Sequence, residues 1–427
     1  MQAFFLLIEG FIFCFMVYLF LYKKEKALLF LPVVFFAQSF IENTVPASIH
    51  AVLVLLLMLT VIDKNVLFFH RNIWSFLIVI WFSFLLMYVR DIEPIRSVFL
   101  NVTLLFVAIP LAMSIFSKYT KEEMLKELSL SGAFILGLFL LNVMFSTAFN
   151  YSPTEMYGIK SGILYGKLYA TDFNVLSTAT FVVLLRVLKK YNLTYVVLLI
   201  FSVAFIMLTM RRSVMILTML GLGMGLMLKL DSENIKSFFM IIFVAGFVGF
   251  VVILNTSFMD MFIERYEARK LDERELKGEH RFAEYEMIYR DMFVYYDYSP
   301  WTGYELFNSA HNYGKGAFGE RSLHSDVTNL THASGIPGLI LYVLLVTSAF
   351  VTSFRNLNTK WDNYIFLFCL GSFIFYTVTG RYATISSHWM IFALLSYPLA
   401  MPDEEKKDEQ PSEKEEVDKV HQAEYSL

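Results

Sequence analysis

Charge and cysteine are both scarce in this sequence. Only 17% of its 427 residues are charged, against about a quarter in ordinary soluble domains. The two cysteines, Cys14 and Cys369, lie inside apolar runs, where a free Cys behaves as a small hydrophobe. No disulfide framework or thiolate metal site follows. Metal motifs are missing as well: there is no D-x-D pair, no H-E-x-x-H and no clustered Cys/His set, so no catalytic metal is expected. Neither a Walker A sequence nor a dinucleotide glycine fingerprint occurs, which leaves ATP and NAD chemistry without a visible site and predicts no cofactor. A net charge of -3 and a pI near 6.3 give no global basic surface, so nucleic acid is set aside as a partner.

Apolar residues are plentiful instead. They make up 57% of the chain, and mean hydropathy is +0.57. The pattern predicts an all-α, polytopic integral membrane protein with about 12 to 13 spans and one large extracytoplasmic loop. The spans are expected near 3–22, 27–41, 46–62, 72–89, 97–117, 128–149, 168–185, 192–210, 213–228, 237–257, 327–353, 362–378 and 383–400, with 27–41 the weakest. The first run has no Lys or Arg before it and no small-residue cleavage pattern, so it is expected to remain as a span.

Lys and Arg divide unequally between alternate connections. One set holds fifteen, among them Lys23, Lys24, Lys26, Lys64, Arg71, Lys118, Lys121, Arg186, Lys189 and Lys360; the short connections of the other hold seven. The positive-inside rule makes the first set cytoplasmic, with the N-terminus outside and the C-terminus inside. Merging 27–62 into one span would put the Lys23 cluster outside, so thirteen spans suit the count better. The expected organisation is membrane spans over 1–257, an extracytoplasmic loop over 258–326, further spans over 327–401, and a disordered acidic cytoplasmic tail over 402–427.

Three places depart from plain membrane packing. First, residues 192–229 are 38 nearly continuous apolar positions, about 57 Å as one helix against a hydrocarbon core of about 30 Å. The chain must turn, and mid-bilayer arginine costs about 2.5–3.5 kcal/mol, so the turn is expected at Arg211 and Arg212. Snorkelling to headgroups is the plain reading of this pair. An anion clamp is the functional one, because a guanidinium fork suits phosphate.

Second, "RFAEYEMIYRDMFVYY" puts Phe282, Tyr285, Tyr289, Met292 and Tyr296 at helical spacing, with Arg281, Glu284, Arg290 and Asp291 elsewhere. An amphipathic helix on the membrane surface is expected, most of its charges on a solvated face with none of the acidic ones singled out, and Arg281 able to point at a site. The following loop offers Trp301, Tyr304 and Tyr313 for stacking on sugars, unless they form an interfacial aromatic belt. Third, His324 and Asp326 stand just before a span, with His332 two turns later. A neutral imidazole suits a general base; a hydrogen-bonded interfacial residue is the plain alternative. His332 reads as structural.

These features in this order resemble the O-antigen ligase and polymerase superfamily, membrane enzymes that join lipid-linked glycans. The resemblance covers about residues 200–350: Arg211-Arg212-Ser213 opening a span, an Arg-led amphipathic segment, "SPWTGYE", then His324 and a span with "GIPGL". It implies a GT-C-like membrane fold and a glycan on undecaprenyl pyrophosphate as donor. Arg212 and Arg281 match the family's arginines and, with Arg211, would hold the pyrophosphate. His324 would be the general base and Asp326 its orienting partner. Trp301, Tyr304, His311 and Tyr313 would face the glycan. The family's His-Asn is His324-Ser325 here, and His311-Asn312 competes by letters, although His324 has the right distance to Gly335, Ile336, Pro337 and Gly338.

A metal-independent, inverting polymerase is the favoured expectation, with the lipid bilayer around it and a chain-length regulator or flippase as candidate protein partners. A ligase transferring glycan to lipid A core shares the chemistry. A flippase or other transporter is the alternative from another class. It would need ionisable groups inside the bundle, where Glu9, His50, Asp172 and His388 are the few candidates. A noncatalytic envelope scaffold is a third reading.

Overall fold

A computed structural model of the chain describes residues 2–38, 46–148, 173–209, 211–229, 263, 280–316, 322–379 and 385–403. Within them the regular structure is helical, and the protein is a polytopic membrane protein. The helices are α1 (Gln2–Lys23), α2 (Leu31–Gln38), α3 (Ala47–Ile62), α4 (Ile73–Leu85), α5 (Arg96–Phe116), α6 (Lys121–Ala148), α7 (Asn174–Lys189), α8 (Leu193–Leu208), α9 (Arg212–Lys229), α10 (His280–Phe293), α11 (Asp326–Phe354), α12 (Lys360–Thr379) and α13 (Ile385–Leu395).

Among the described residues, seven helical stretches are long and apolar enough to cross a bilayer: Leu6–Gln38, Ile49–Arg71, Arg96–Phe116, Lys121–Met144, Arg212–Lys229, Asp326–Phe354 and Lys360–Val378. The apolar stretches Ile73–Tyr88 and Leu193–Met207 are shorter. Every expected span except 237–257 overlaps a helix. That span, Asp172, and the tail beyond residue 403 lie outside the described residues. The first stretch is no straight rod: Lys24 has φ 53°, and α1 packs against α2, so the chain doubles back after the Lys23 cluster.

Helices that are apolar all round belong inside a protein, and two behave so. Residues 174–185 of α7 and all of α13 are buried. At 1.5 Å per residue these two are about 24 Å and 16 Å long, short for a lipid-facing span but sufficient at the centre of a bundle. Leu7, Phe11, Leu21, Ile200 and Phe201, on α1 and α8, instead leave more than half of their surface exposed. Acyl chains cover such faces in a membrane.

One end of the bundle is dense in matched charge. Lys23 meets Glu127 at 2.8 Å, Lys121 meets Asp362 at 2.7 Å, Arg186 pairs with Glu122, and Lys118 reaches Asn65. α6 begins there, seven residues before its apolar run, because Thr120 and Glu123 exchange hydrogen bonds of 3.2 Å in a reciprocal cap. Glu122 and Glu123 also suit the positive helix start.

Candidate active site

The expected turn at the arginine pair is where the structure breaks the long run. α8 ends at Leu208, and α9 opens on Arg212. The Arg211 guanidinium lies 5.4 Å from the ring of Phe173, the residue preceding α7. α9 runs parallel to α7, since Gly221 faces Phe181 and Gly225 faces Leu184. It runs antiparallel to α12: Lys360 reaches the Leu228 carbonyl, and Gly371 faces Leu220. The C-terminal end of α12 therefore shares an end of the bundle with Arg211 and Arg212. Tyr376 confirms it by donating to the Asn174 carbonyl at 2.6 Å.

His324 comes to this same end. The next residue, Ser325, donates to the Thr377 carbonyl on α12 at 3.0 Å and accepts from the Tyr285 hydroxyl at 2.5 Å. The imidazole itself rests on Glu284 of α10. His324 Nδ1 lies 3.3 Å from Glu284 Oε1, while the His324 backbone N–H donates to Oε2 at 3.0 Å. Glu284 is fully buried, and the His324 side chain keeps 30% of its surface exposed. With Nδ1 as the proton donor to a carboxylate, the basic lone pair is on Nε2.

Two expectations are corrected here. The carboxylate on His324 is Glu284 and not Asp326, which is buried and faces His388 at 3.4 Å. Nor do all the charges of α10 lie on a solvated face: Glu286 and Arg290 do, but Glu284 and Asp291 are buried. Glu284, Ile288, Asp291 and Met292 form its buried stripe, and Tyr289 and Tyr296 are exposed. Of the expected apolar stripe Met292 is buried and Tyr285 half-buried, but Tyr289 is exposed while Glu284 and Asp291 take buried places, so the periodicity placed the buried face only in part. The burial of two carboxylates is a tertiary effect, because each finds donors: Glu284 on His324, and Asp291 on the Gly314 N–H at 2.7 Å. Arg281 stands in the first turn of α10, and its side chain lies outside the described residues.

Burial, and secondarily the charge of Asp297, push the Asp291 carboxyl above its usual range, against the Gly314 N–H and Lys315. A raised folded value means that its contribution to stability is present below the ordinary carboxylate range and is lost as pH rises through the folded value. Asp291→Asn is expected to remove that part of the pH dependence. Unfolding temperatures of both proteins across pH 4 to 8, ~0.5 unit apart, check this; parallel curves would refute it.

The loop residues divide by burial. Trp301 is 71% exposed, and Tyr304 is half-buried between Tyr298, His332 and the Arg90 guanidinium. Tyr313, expected to face glycan, is instead 2% exposed in a small core with Ile288, Met292 and Leu323. His311 is exposed at φ 63°. His332 is structural, as expected: it is buried and its Nε2 donates to the Asn312 carbonyl at 2.9 Å.

"SPWTGY" and "GIPGL" form one joint. α11 breaks at Gly335, whose φ of 69° and ψ of -174° suit only glycine. The break frees the His332 carbonyl, which accepts from the Tyr304 N–H at 2.8 Å, while the Ile336 N–H donates to the Pro300 carbonyl at 2.8 Å. Pro337 brings no N–H that would close the helix. The loop is thereby stitched to α11 three turns after His324.

Comparison with known families follows this geometry. Residues 197–343 match the family model described as O-antigen ligase, and no curated protein matches the chain. The matched segment contains Arg211, Arg212, Glu284, His324 and the whole joint.

Proposed function

We propose that this polytopic membrane protein, with an O-antigen ligase domain over residues 197–343, is a polysaccharide polymerase joining undecaprenyl-pyrophosphate-linked repeat units at the outer face of the cytoplasmic membrane. The observation that carries the reading is the His324–Glu284 pair at the end of the bundle where Arg211 and Arg212 also lie. The cations expected to be cytoplasmic gather at the other end, around Glu122, Glu127 and Asp362. That separation supports an outward-facing site.

The chemistry follows from the groups. An acceptor sugar hydroxyl is a weak nucleophile, and His324 Nε2 takes its proton as the oxygen attacks the anomeric carbon of the donor. Glu284 holds the ring in that tautomer and stabilises the imidazolium that forms. The bond from the anomeric carbon to the pyrophosphate breaks, and the pyrophosphate leaves with the electron pair. Negative charge grows on its oxygens, where Arg211, Arg212 and Arg281 would neutralise it. Single displacement inverts the anomeric centre; an NMR assignment of retained configuration in the product would overturn it. Trp301, exposed beside the joint, and His311 are left as glycan contacts.

The polymerase reading rests on the loose match of the motifs, with Ser325 where the family has Asn, since polymerases vary more in sequence than ligases. The family description favours a ligase as the second reading. Purified protein in detergent with the matching undecaprenyl-pyrophosphate oligosaccharide and EDTA separates them. A growing ladder on a gel is the expected result. Glycosylation of added lipid A core without a ladder would establish the ligase, and no reaction with either from folded protein would turn the reading to transport. Arg212→Lys keeps the charge but loses the bidentate fork and is expected to slow the ladder by about tenfold.

A further inference from the structure

The charge-rich end of the bundle contains an exception to its own pairing. Lys23, Lys121 and Lys189 each meet a carboxylate within 2.9 Å. The 3-10 segment Asp63–Arg71, which joins α3 to α4, exposes Lys64, His70 and Arg71, and no carboxylate among the described residues forms an ion pair with Lys64 or Arg71. These side chains open onto a cleft of about 480 Å³ that is also lined by Ser114 and Lys118 of the α5–α6 corner. Lys118 is held in place, its ammonium 2.5 Å from Oδ1 of the buried Asn65, whose amide in turn donates to Glu25 at 2.8 Å. Asp63 is the single carboxylate on the wall, against three permanent cations.

Beside the cations stand two exposed apolar side chains: Val66 is 67% and Leu67 is 70% exposed. Phe68, next in sequence, turns inward at 2%. The segment is thus fixed to the bundle by Phe68 and Asn65 and presents Lys64, Val66, Leu67 and Arg71 outward. Its position at the ends of two helices of a membrane protein places it at headgroup depth. A wall with cations and aliphatic side chains side by side matches a molecule that is itself phosphate at one end and hydrocarbon at the other.

We propose that this cleft binds an anionic phospholipid, its phosphate on Lys64, Arg71 and Lys118 and its acyl chains along Val66 and Leu67. The site lies at the end of the bundle opposite His324, so it does not rest on the glycan-transfer reading. The volume is within the range of pockets that take a whole small ligand. The bound lipid would brace the α3–α4 connection, which the core holds through few side chains.

The test is lipid binding by the purified full chain in detergent, followed by native mass spectrometry and unfolding temperature with added phosphatidylglycerol, phosphatidylcholine or inorganic phosphate. Phosphatidylglycerol is expected to stay bound and raise the unfolding temperature, and the other two are not. Lys64→Gln/Arg71→Gln is expected to weaken phosphatidylglycerol binding about thirtyfold, the product of two surface cations on an anionic lipid. Lys189→Gln, which removes an equally cytoplasmic cation away from the cleft, is expected to leave it unchanged. Equal weakening by Lys189→Gln would mean diffuse surface attraction and overturn the site. Equal stabilisation by inorganic phosphate would make the ligand a free anion and overturn the lipid. Unchanged binding by the folded double variant, its helical content checked by circular dichroism, would overturn both.

Discussion

Glu284→Gln is expected to slow glycan transfer by about 10²-fold and His324→Ala by about 10²- to 10⁴-fold, the range over which a positioned base accelerates proton transfer. The two differ in kind. His324→Ala removes the group that takes the proton. Glu284→Gln leaves an imidazole in place but removes the carboxylate that holds Nδ1–H and faces the imidazolium as it forms. Both effects should be on kcat, because neither side chain is assigned to donor binding. The pH dependence separates a positioning role from mere support of the fold. A carboxylate beside an imidazole favours its protonated form, so without it the acid limb of the pH–rate profile should move to lower pH. Single-turnover rates across pH for the three proteins would measure this. An unshifted limb, or a Glu284→Gln rate equal to wild type, would remove Glu284 from the mechanism. Double substitution should cost little more than His324→Ala alone, since the carboxylate acts through the ring.

Gly335→Ala is expected to undo the joint between α11 and the loop and abolish activity. A Cβ at this position would lie 2.4 Å from the Trp301 carbonyl oxygen and 2.7 Å from that of Pro300, and backbone atoms cannot step aside as a side-chain tip can. To that is added a backbone conformation that costs about 1–3 kcal/mol for an L-residue. Together they exceed the two hydrogen bonds that the joint makes, each worth about 1 kcal/mol net. The loop should therefore detach while the spans stay folded. Limited proteolysis is the readout: cleavage within 299–316 should speed up while helical content by circular dichroism is retained. Gly223→Ala is the matched control, because that glycine has open space around its added Cβ and alanine is the better helix former. Equal protease resistance of the two variants would show that the joint does not hold the loop.

The legible and illegible parts of the site divide along physical lines. The turn at Arg211 and Arg212 was readable because bilayer thickness forbids a 38-residue helix and buried arginine is costly. His324 was singled out from its place before a span, and the structure brings it beside Glu284 at the end of the bundle that holds Arg211 and Arg212. Its partner was not singled out. Glu284 is 40 positions away, on a helix whose expected apolar stripe is buried only in part, and a carboxylate enters a core only where donors meet it. Asp326, two residues from His324, was the natural guess from sequence, yet the start of α11 turns it toward His388. Tyr313 failed as a glycan contact for the same reason: aromatic composition does not tell which ring closes a small core.

The amino-acid sequence by itself determined that this is an all-helical membrane protein, where its long apolar run must turn, and which cations lie together. Hydrophobic length and the cost of burying charge act on each segment separately, so they can be read without knowing the neighbours. Tertiary structure alone decided that Glu284 holds His324, that Asp326 faces His388, and that two glycine motifs 32 residues apart, Gly303 and Gly335, are one joint. Each of these depends on which helix faces meet and which backbone groups a break leaves to be satisfied, and no local pattern in the chain carries that information.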